Sequence, residues 1–171
     1  MSGAAGKGGK GSNLRSERER QAPGGSAAVS RFRARYAETD AMGIVHHASY
    51  LVWFEVGRTD LLRQLGASYT AFEAAGLRSP VVEMDVKYRS PARYDDPIRV
   101  VTRLAETGPA RVRFLYSVYR EEAPDNLTLL VTGASTHCFL DVSGRPVALR
   151  SLPEELRRPL EAATQDSGSG R

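Results

Sequence analysis

The residues best placed to do chemistry lie in one short stretch, from Tyr36 to Arg58. It contains a lone acid, Asp40, a glycine, Gly43, two adjacent histidines, His46 and His47, and then an apolar segment from Tyr50 onward. The pattern predicts a strand end, a turn through the glycine and the start of a helix over residues 50–66. The first N–H groups of a helix have no intrahelical partner and carry partial positive charge. A carboxylate beside such groups has the two elements needed to attack a carbonyl, a base or nucleophile and an oxyanion site. Asp40 stands ten residues before Tyr50, too far to cap that helix itself. The backbone N–H of His47, close to the predicted helix start, is the candidate oxyanion donor. Gly43 would let the chain turn tightly and approach a substrate closely.

Among carbonyl compounds, thioesters suit a lone carboxylate. Their leaving thiolate has a conjugate acid of pKa roughly 8.5, so no strong general acid is required. A metal site is the rival reading of His46 and His47. Neighbouring residues point in different directions on a helix or strand, and no spacing such as HExxH is present, so no metal and no cofactor is expected. His137 is expected to be structural. Glu55 and Arg58, three apart on the predicted helix, would be neighbours and could form an ion pair, or face a subunit interface or the site across it.

The elements around this stretch follow from periodicity. Leu51, Phe54, Leu61, Leu62 and Leu65 recur at helical steps, and Trp53 and Val56 widen the apolar face, which predicts a deeply buried helix. Gly66 suits its end. A second, short helix is expected from Tyr69 to Ala75. Strands then dominate. Val82, Met84, Val86 and Tyr88 alternate with Glu83, Asp85 and Lys87; further strands are expected over 98–106, 112–118 and 127–141, with a short helix from Pro153 to Leu160. Short turns between consecutive strands imply antiparallel pairing. The expected class is α+β, a curved antiparallel sheet of about five strands wrapped around one long buried helix.

Residues 1–28 are rich in Gly, Ser and charge, with five basic and two acidic residues, a net of +3; the remainder has 19 basic and 18 acidic residues, a net of +1. The first segment lacks the apolar surface to offset its ordering entropy and is expected to be disordered. The domain is expected over 29–161, followed by a frayed tail over 162–171. A near-neutral domain shows no nucleic-acid footprint. No apolar run reaches membrane-spanning length, no secretory signal is seen, and the single cysteine, Cys138, excludes an intramolecular disulfide, so a cytoplasmic protein is expected.

Asp40, Gly43, Val45, His47, Tyr50, Phe54, Glu55 and Arg58 together resemble the signature of the hotdog-fold acyl-CoA thioesterases of the 4-hydroxybenzoyl-CoA thioesterase and YbgC-like group. The resemblance extends, in order, over Tyr88-Arg-Ser-Pro91-Ala-Arg-Tyr94 and over Phe139-Leu-Asp141-Val-Ser-Gly144. It departs at Glu38, where an Asp is common; on an extended chain Glu38 would point to the same side as Asp40. The resemblance implies a hotdog fold, acyl-CoA as substrate, Asp40 as base or nucleophile, and a homodimer or homotetramer. Gly43, Val45, Tyr50, Glu55 and Arg89 are then the expected substrate-binding residues. The rival readings are a hydratase or dehydratase on the same fold, which would pair an Asp with a His, and a non-catalytic acyl-CoA or acyl-carrier-protein binding module.

Overall fold

A computed structural model describes residues 26–165. Five strands are present: β1 Ala27–Arg33, β2 Val81–Tyr88, β3 Pro97–Thr107, β4 Arg111–Ala123 and β5 Asn126–Cys138. Three helices accompany them: α1 Ser49–Gln64, α2 Tyr69–Ala74 and α3 Glu154–Gln165. The strands form one antiparallel sheet in the order β1-β3-β4-β5-β2, so β1 and β2 are its edges. The five-stranded antiparallel hotdog architecture read from the sequence is the one observed.

Alternation on the strands sets which face is buried. Ile98, Val100, Thr102 and Leu104 of β3 and Val112, Phe114, Tyr116 and Val118 of β4 are buried on the face that carries α1 and α3. Helix and sheet approach closely at two glycines. A Cβ on Gly57 of α1 would lie 2.2 Å from the Thr102 hydroxyl, and one on Gly133 of β5 would lie 2.5 Å from the Phe54 ring and 2.7 Å from the Asp85 carbonyl oxygen. Phe54 is stacked on Tyr116, with ring centroids 4.3 Å apart.

The helix differs from the expectation of one deeply buried element. Tyr50, Trp53, Phe54, Gly57, Arg58, Leu61 and Leu62 are buried, but Leu51, Val52 and Val56 are 36–49% exposed. A single five-stranded sheet covers one side of a helix about 10 Å across and leaves the other side open. The ends also differ from the expected limits. Strand β1 begins at Ala27, within the segment assigned to the leading tail, and α3 continues to Gln165, within the segment assigned to the trailing one. Leu156, Leu160 and Ala163 place one stripe of α3 in the core, which holds the helix past the expected stop despite Pro159 in its interior. Residues 1–25 and 166–171, where the disordered tails are expected, lie outside the described residues.

Candidate active site

The turn that bears Asp40 is built from backbone bonds. A 3-10 turn, Tyr36–Glu38, follows β1, and Thr39 and Val45 then pair across an isolated bridge. Within that bridge the Asp40 N–H donates to the Ile44 carbonyl at 2.9 Å, and the Gly43 N–H donates to the Asp40 carbonyl at 2.9 Å. Gly43 has φ +70°, and a Cβ there would meet nothing within 4 Å, so the requirement for glycine is conformational. The Asp40 carboxylate accepts the Met42 N–H through Oδ1 at 2.8 Å. Among the described residues nothing donates to Oδ2, which leaves one carboxylate oxygen for a substrate or water.

Helix α1 begins just beyond. Its N-cap residue, Ala48, offers no capping side chain, and the Ala48 N–H is taken by the His46 Nδ1 at 3.2 Å. The His47 N–H finds no hydrogen-bond acceptor among the described residues. His47 is held from its other side, where its carbonyl accepts the Tyr88 hydroxyl at 3.0 Å. The third wall is the segment that follows β2. The Ala92 carbonyl accepts the Val45 N–H at 2.8 Å, and the Ala92 N–H donates to the Tyr50 hydroxyl at 2.9 Å. Burial raises the Tyr50 and Tyr88 hydroxyls above the usual phenol range, so both remain protonated donors at neutral pH.

These three pieces enclose a cleft of about 330 Å³. The turn contributes Asp40, Met42, Ile44 and Val45; the helix start contributes His47 and Tyr50; the end of β2 and the segment after it contribute Tyr88, Arg89, Ser90 and Pro91. Asp40, Val45, His47, Tyr50 and Arg89, expected at the site from sequence, therefore converge on one cavity. Gly43 shapes the turn but does not line the cleft. Glu55 lies outside it, exposed on α1.

Glu55 and Arg58 do not pair, which corrects one expectation. Arg58 is buried and points inward, donating from Nε to the Tyr69 hydroxyl at 2.7 Å and from Nη1 to the His137 Nε2 at 3.0 Å. His137 Nε2 also meets Ser135 at 2.9 Å, and Ser135 meets the Tyr116 hydroxyl at 2.7 Å. Burial, with the Arg58 charge beside it, lowers the His137 pKa to about 4, so the ring is neutral and accepts from Arg58. His137 is thus part of a buried polar chain that joins α1, α2 and the sheet. His46 and His47 stand with ring centroids 4.1 Å apart, and no group of three potential metal ligands is assembled among the described residues.

Glu38 is the residue whose place was misread. The 3-10 turn breaks the alternation that would have set it beside Asp40, and its carboxylate points into the core instead. There it accepts the Arg35 Nη2 at 2.6 Å, the Arg35 N–H at 2.7 Å and the Trp53 indole N–H at 2.9 Å. Burial pushes its carboxyl pKa up, but these donors outweigh burial and hold it below the ordinary range. The Glu38 carbonyl accepts the His46 N–H at 2.8 Å and the Ser49 hydroxyl at 3.2 Å. One residue therefore ties the Asp40 turn to the first turn of α1. The signal available in sequence was an acid two residues from Asp40 with an arginine, Arg35, three residues before it, the spacing of a capping pair.

Comparison with known proteins identifies the family. Residues 34–160 match the family model described as the Thioesterase-like superfamily. The Bacillus subtilis protein YneP is 38% identical over 117 residues, which span 68% of this chain and 82% of the relative. The acyl-CoA thioester hydrolase YbgC of Escherichia coli is 34% identical over 90 residues, 53% of this chain and 67% of its own. Among solved structures, a DHNA-CoA thioesterase from Staphylococcus aureus is 31% identical and superposes with a TM-score of 0.71, covering 80% of this chain and 91% of that one. The chain belongs to the Thioesterase-like superfamily and has its hotdog fold.

Proposed function

We propose that the protein hydrolyses an acyl-CoA thioester to a carboxylic acid and free CoA, with Asp40 as base or nucleophile. The observation that carries this reading is that Asp40, with one unengaged carboxylate oxygen, and His47, at the uncapped start of α1, line the same cleft. Relatives named as acyl-CoA thioester hydrolase and DHNA-CoA thioesterase support the substrate class.

Two routes fit the site. In the first, Asp40 takes a proton from a water as its oxygen attacks the thioester carbonyl. In the second, Asp40 attacks directly, and water then cleaves the resulting anhydride. In both, the carbonyl oxygen becomes an oxyanion that the His47 N–H and the dipole of α1 stabilise. Its collapse expels the CoA thiolate, which takes up a proton from solvent. Removing one oxyanion donor typically costs about a hundred- to a thousand-fold in rate. Val45 and Tyr50 give the acyl group an apolar wall, and Arg89 at the cleft supplies positive charge for the CoA end.

A homodimer, or a dimer of dimers, completes the molecule in this reading. Strand β2 is an open sheet edge with Val81, Val82 and Tyr88 exposed, and α1 presents Leu51, Val52 and Val56. An uncovered edge and apolar stripe are the features that pairing with a second copy removes. Glu55 lies on this exposed side of α1, where a second copy would bring it toward a site. No described helix is long and apolar enough to cross a membrane, and Cys138 is a free thiol, in keeping with a reducing, cytoplasmic setting.

The test is thiol release from a panel of short, long and aromatic acyl-CoAs, with oligomeric state measured by sedimentation. Hydrolysis of at least one member by a dimer or larger assembly is expected. Tight acyl-CoA binding without turnover, unchanged by replacing Asp40, would instead favour a binding module.

A further inference from the structure

We propose that Tyr88 is a positioning residue: its hydroxyl fastens the start of α1 to the sheet and so holds the His47 N–H, the oxyanion donor, in place. This rests on the thioesterase reading above, which makes that N–H the donor; Tyr88 enters as a residue with no role in it.

The need for such a hold arises from the way α1 begins. Ala48 at the N-cap has no side chain that could accept a free N–H, and helix ends without such caps fray. The peptide that bears the His47 N–H is gripped at its other end, where the His46 carbonyl accepts the Ser49 N–H at 2.9 Å. The peptides on either side are held as well. The His46 N–H donates to the Glu38 carbonyl at 2.8 Å, and the His47 carbonyl accepts the Tyr88 hydroxyl at 3.0 Å. The bonds to Ser49 and Glu38 stay within the turn and the helix start, so they move with that segment. Among the described residues, the Tyr88 bond is the one that ties the His47 backbone to a strand.

Tyr88 is itself well anchored. It ends β2 opposite Val131 of β5, and the next two N–H groups, those of Arg89 and Ser90, both donate to the Leu130 carbonyl, at 2.8 and 3.1 Å. Its ring meets Tyr50 edge to face with centroids 5.6 Å apart, and the Tyr50 hydroxyl accepts the Ala92 N–H at 2.9 Å. Strand, following turn and neighbouring ring thus locate the phenol before its hydroxyl meets the carbonyl. Tyr88 lines the cleft with Asp40 and His47, yet its proton is committed to a backbone oxygen, so it acts through His47 and not as an acid or base on the substrate. A displacement of about 1 Å in a reacting group can cost about a hundredfold in rate, so a loosened donor is felt in kcat.

The experiment is Tyr88→Phe, which keeps the ring against Tyr50 and removes the hydroxyl. With the acyl-CoA that the parent hydrolyses fastest, kcat is expected to fall about tenfold, with KM and the pH profile of kcat unchanged. Inhibition by a trifluoromethyl-ketone analogue of that acyl-CoA, whose tetrahedral hydrate mimics the intermediate, is expected to weaken by the same factor. An S-alkyl-CoA thioether, which has no carbonyl oxygen, is expected to bind as tightly as it does to the parent. A merely structural hydroxyl would weaken both inhibitors alike. That result, or kcat at the parent value, overturns the proposal. If the parent hydrolyses no acyl-CoA, the hydrolase reading fails, and nitrogen-15 relaxation of the His47 amide decides the positioning. An order parameter that falls in Tyr88→Phe toward the flexible range, below about 0.6, supports it, and equal values in parent and variant refute it.

Discussion

The Asp40 turn and the seam between α1 and the sheet are held by opposite means. The turn is knit by backbone bonds around a glycine that has open space beside it, so one oxygen of the Asp40 carboxylate is left unengaged. The seam is held by steric fit, with Gly57 against Thr102 and Gly133 against Phe54, and by the polar chain through Arg58 and His137. Chemistry needs a carboxylate oxygen with nothing else to do. Stability needs surfaces with no room left. The molecule keeps the two needs in separate places, and Glu38 is the strut that ties the turn to α1 through His46 and Trp53.

If that division holds, changes in the seam lower stability and spare the rate, and changes in the turn do the reverse. The largest effect is expected at Gly133. A methyl group there meets both a ring and a backbone oxygen, so Gly133→Ala should cost about 3 kcal/mol or more in chemical denaturation, with the rate per folded molecule unchanged. Acid should reach the seam through His137. The unfolded ring binds a proton near pH 6.5 and the folded ring only near pH 4, so between these values the unfolded chain holds more protons. Stability should therefore fall as pH drops from about 6.5 to about 4, by about 3 kcal/mol in all, and His137→Asn should flatten that slope.

The strut should show both effects. Glu38→Gln weakens charge-assisted bonds to Arg35 and Trp53 and should cost about 2 kcal/mol, while also lowering kcat through a looser Asp40 turn. If kcat per folded molecule is untouched, Glu38 serves the core alone. The smallest stability effect belongs to Gly43→Ala. The left-handed backbone there costs an alanine about 1 kcal/mol, and the change should be read more strongly in kcat than in melting temperature.

Much of this was legible in the chain. Asp40, the turning Gly43 and the helix that follows are local in sequence, and the alternation on β2 and β4, with short turns between consecutive strands, announced an antiparallel sheet. What was not legible depended on tertiary geometry. Arg58 has Glu55 one helical turn away, yet α1 is turned so that Arg58 faces Tyr69 and His137 and Glu55 faces out. Glu38 was misplaced because three residues of 3-10 turn reset the alternation between it and Asp40. The half-open face of α1 was read as buried because Trp53 and Val56 widen its apolar face beyond a stripe, and the sequence does not say how far one sheet can wrap.

The most direct test of the central claim is acyl-CoA hydrolysis by Asp40→Asn, measured beside its thermal melting curve. The substituted side chain keeps an acceptor for the Met42 N–H, so the melting temperature should stay within a degree or two of the parent, on the order expected for a surface change, while the rate should fall by about a hundredfold or more. Hydrolysis at the parent rate by a fully folded variant would contradict the account.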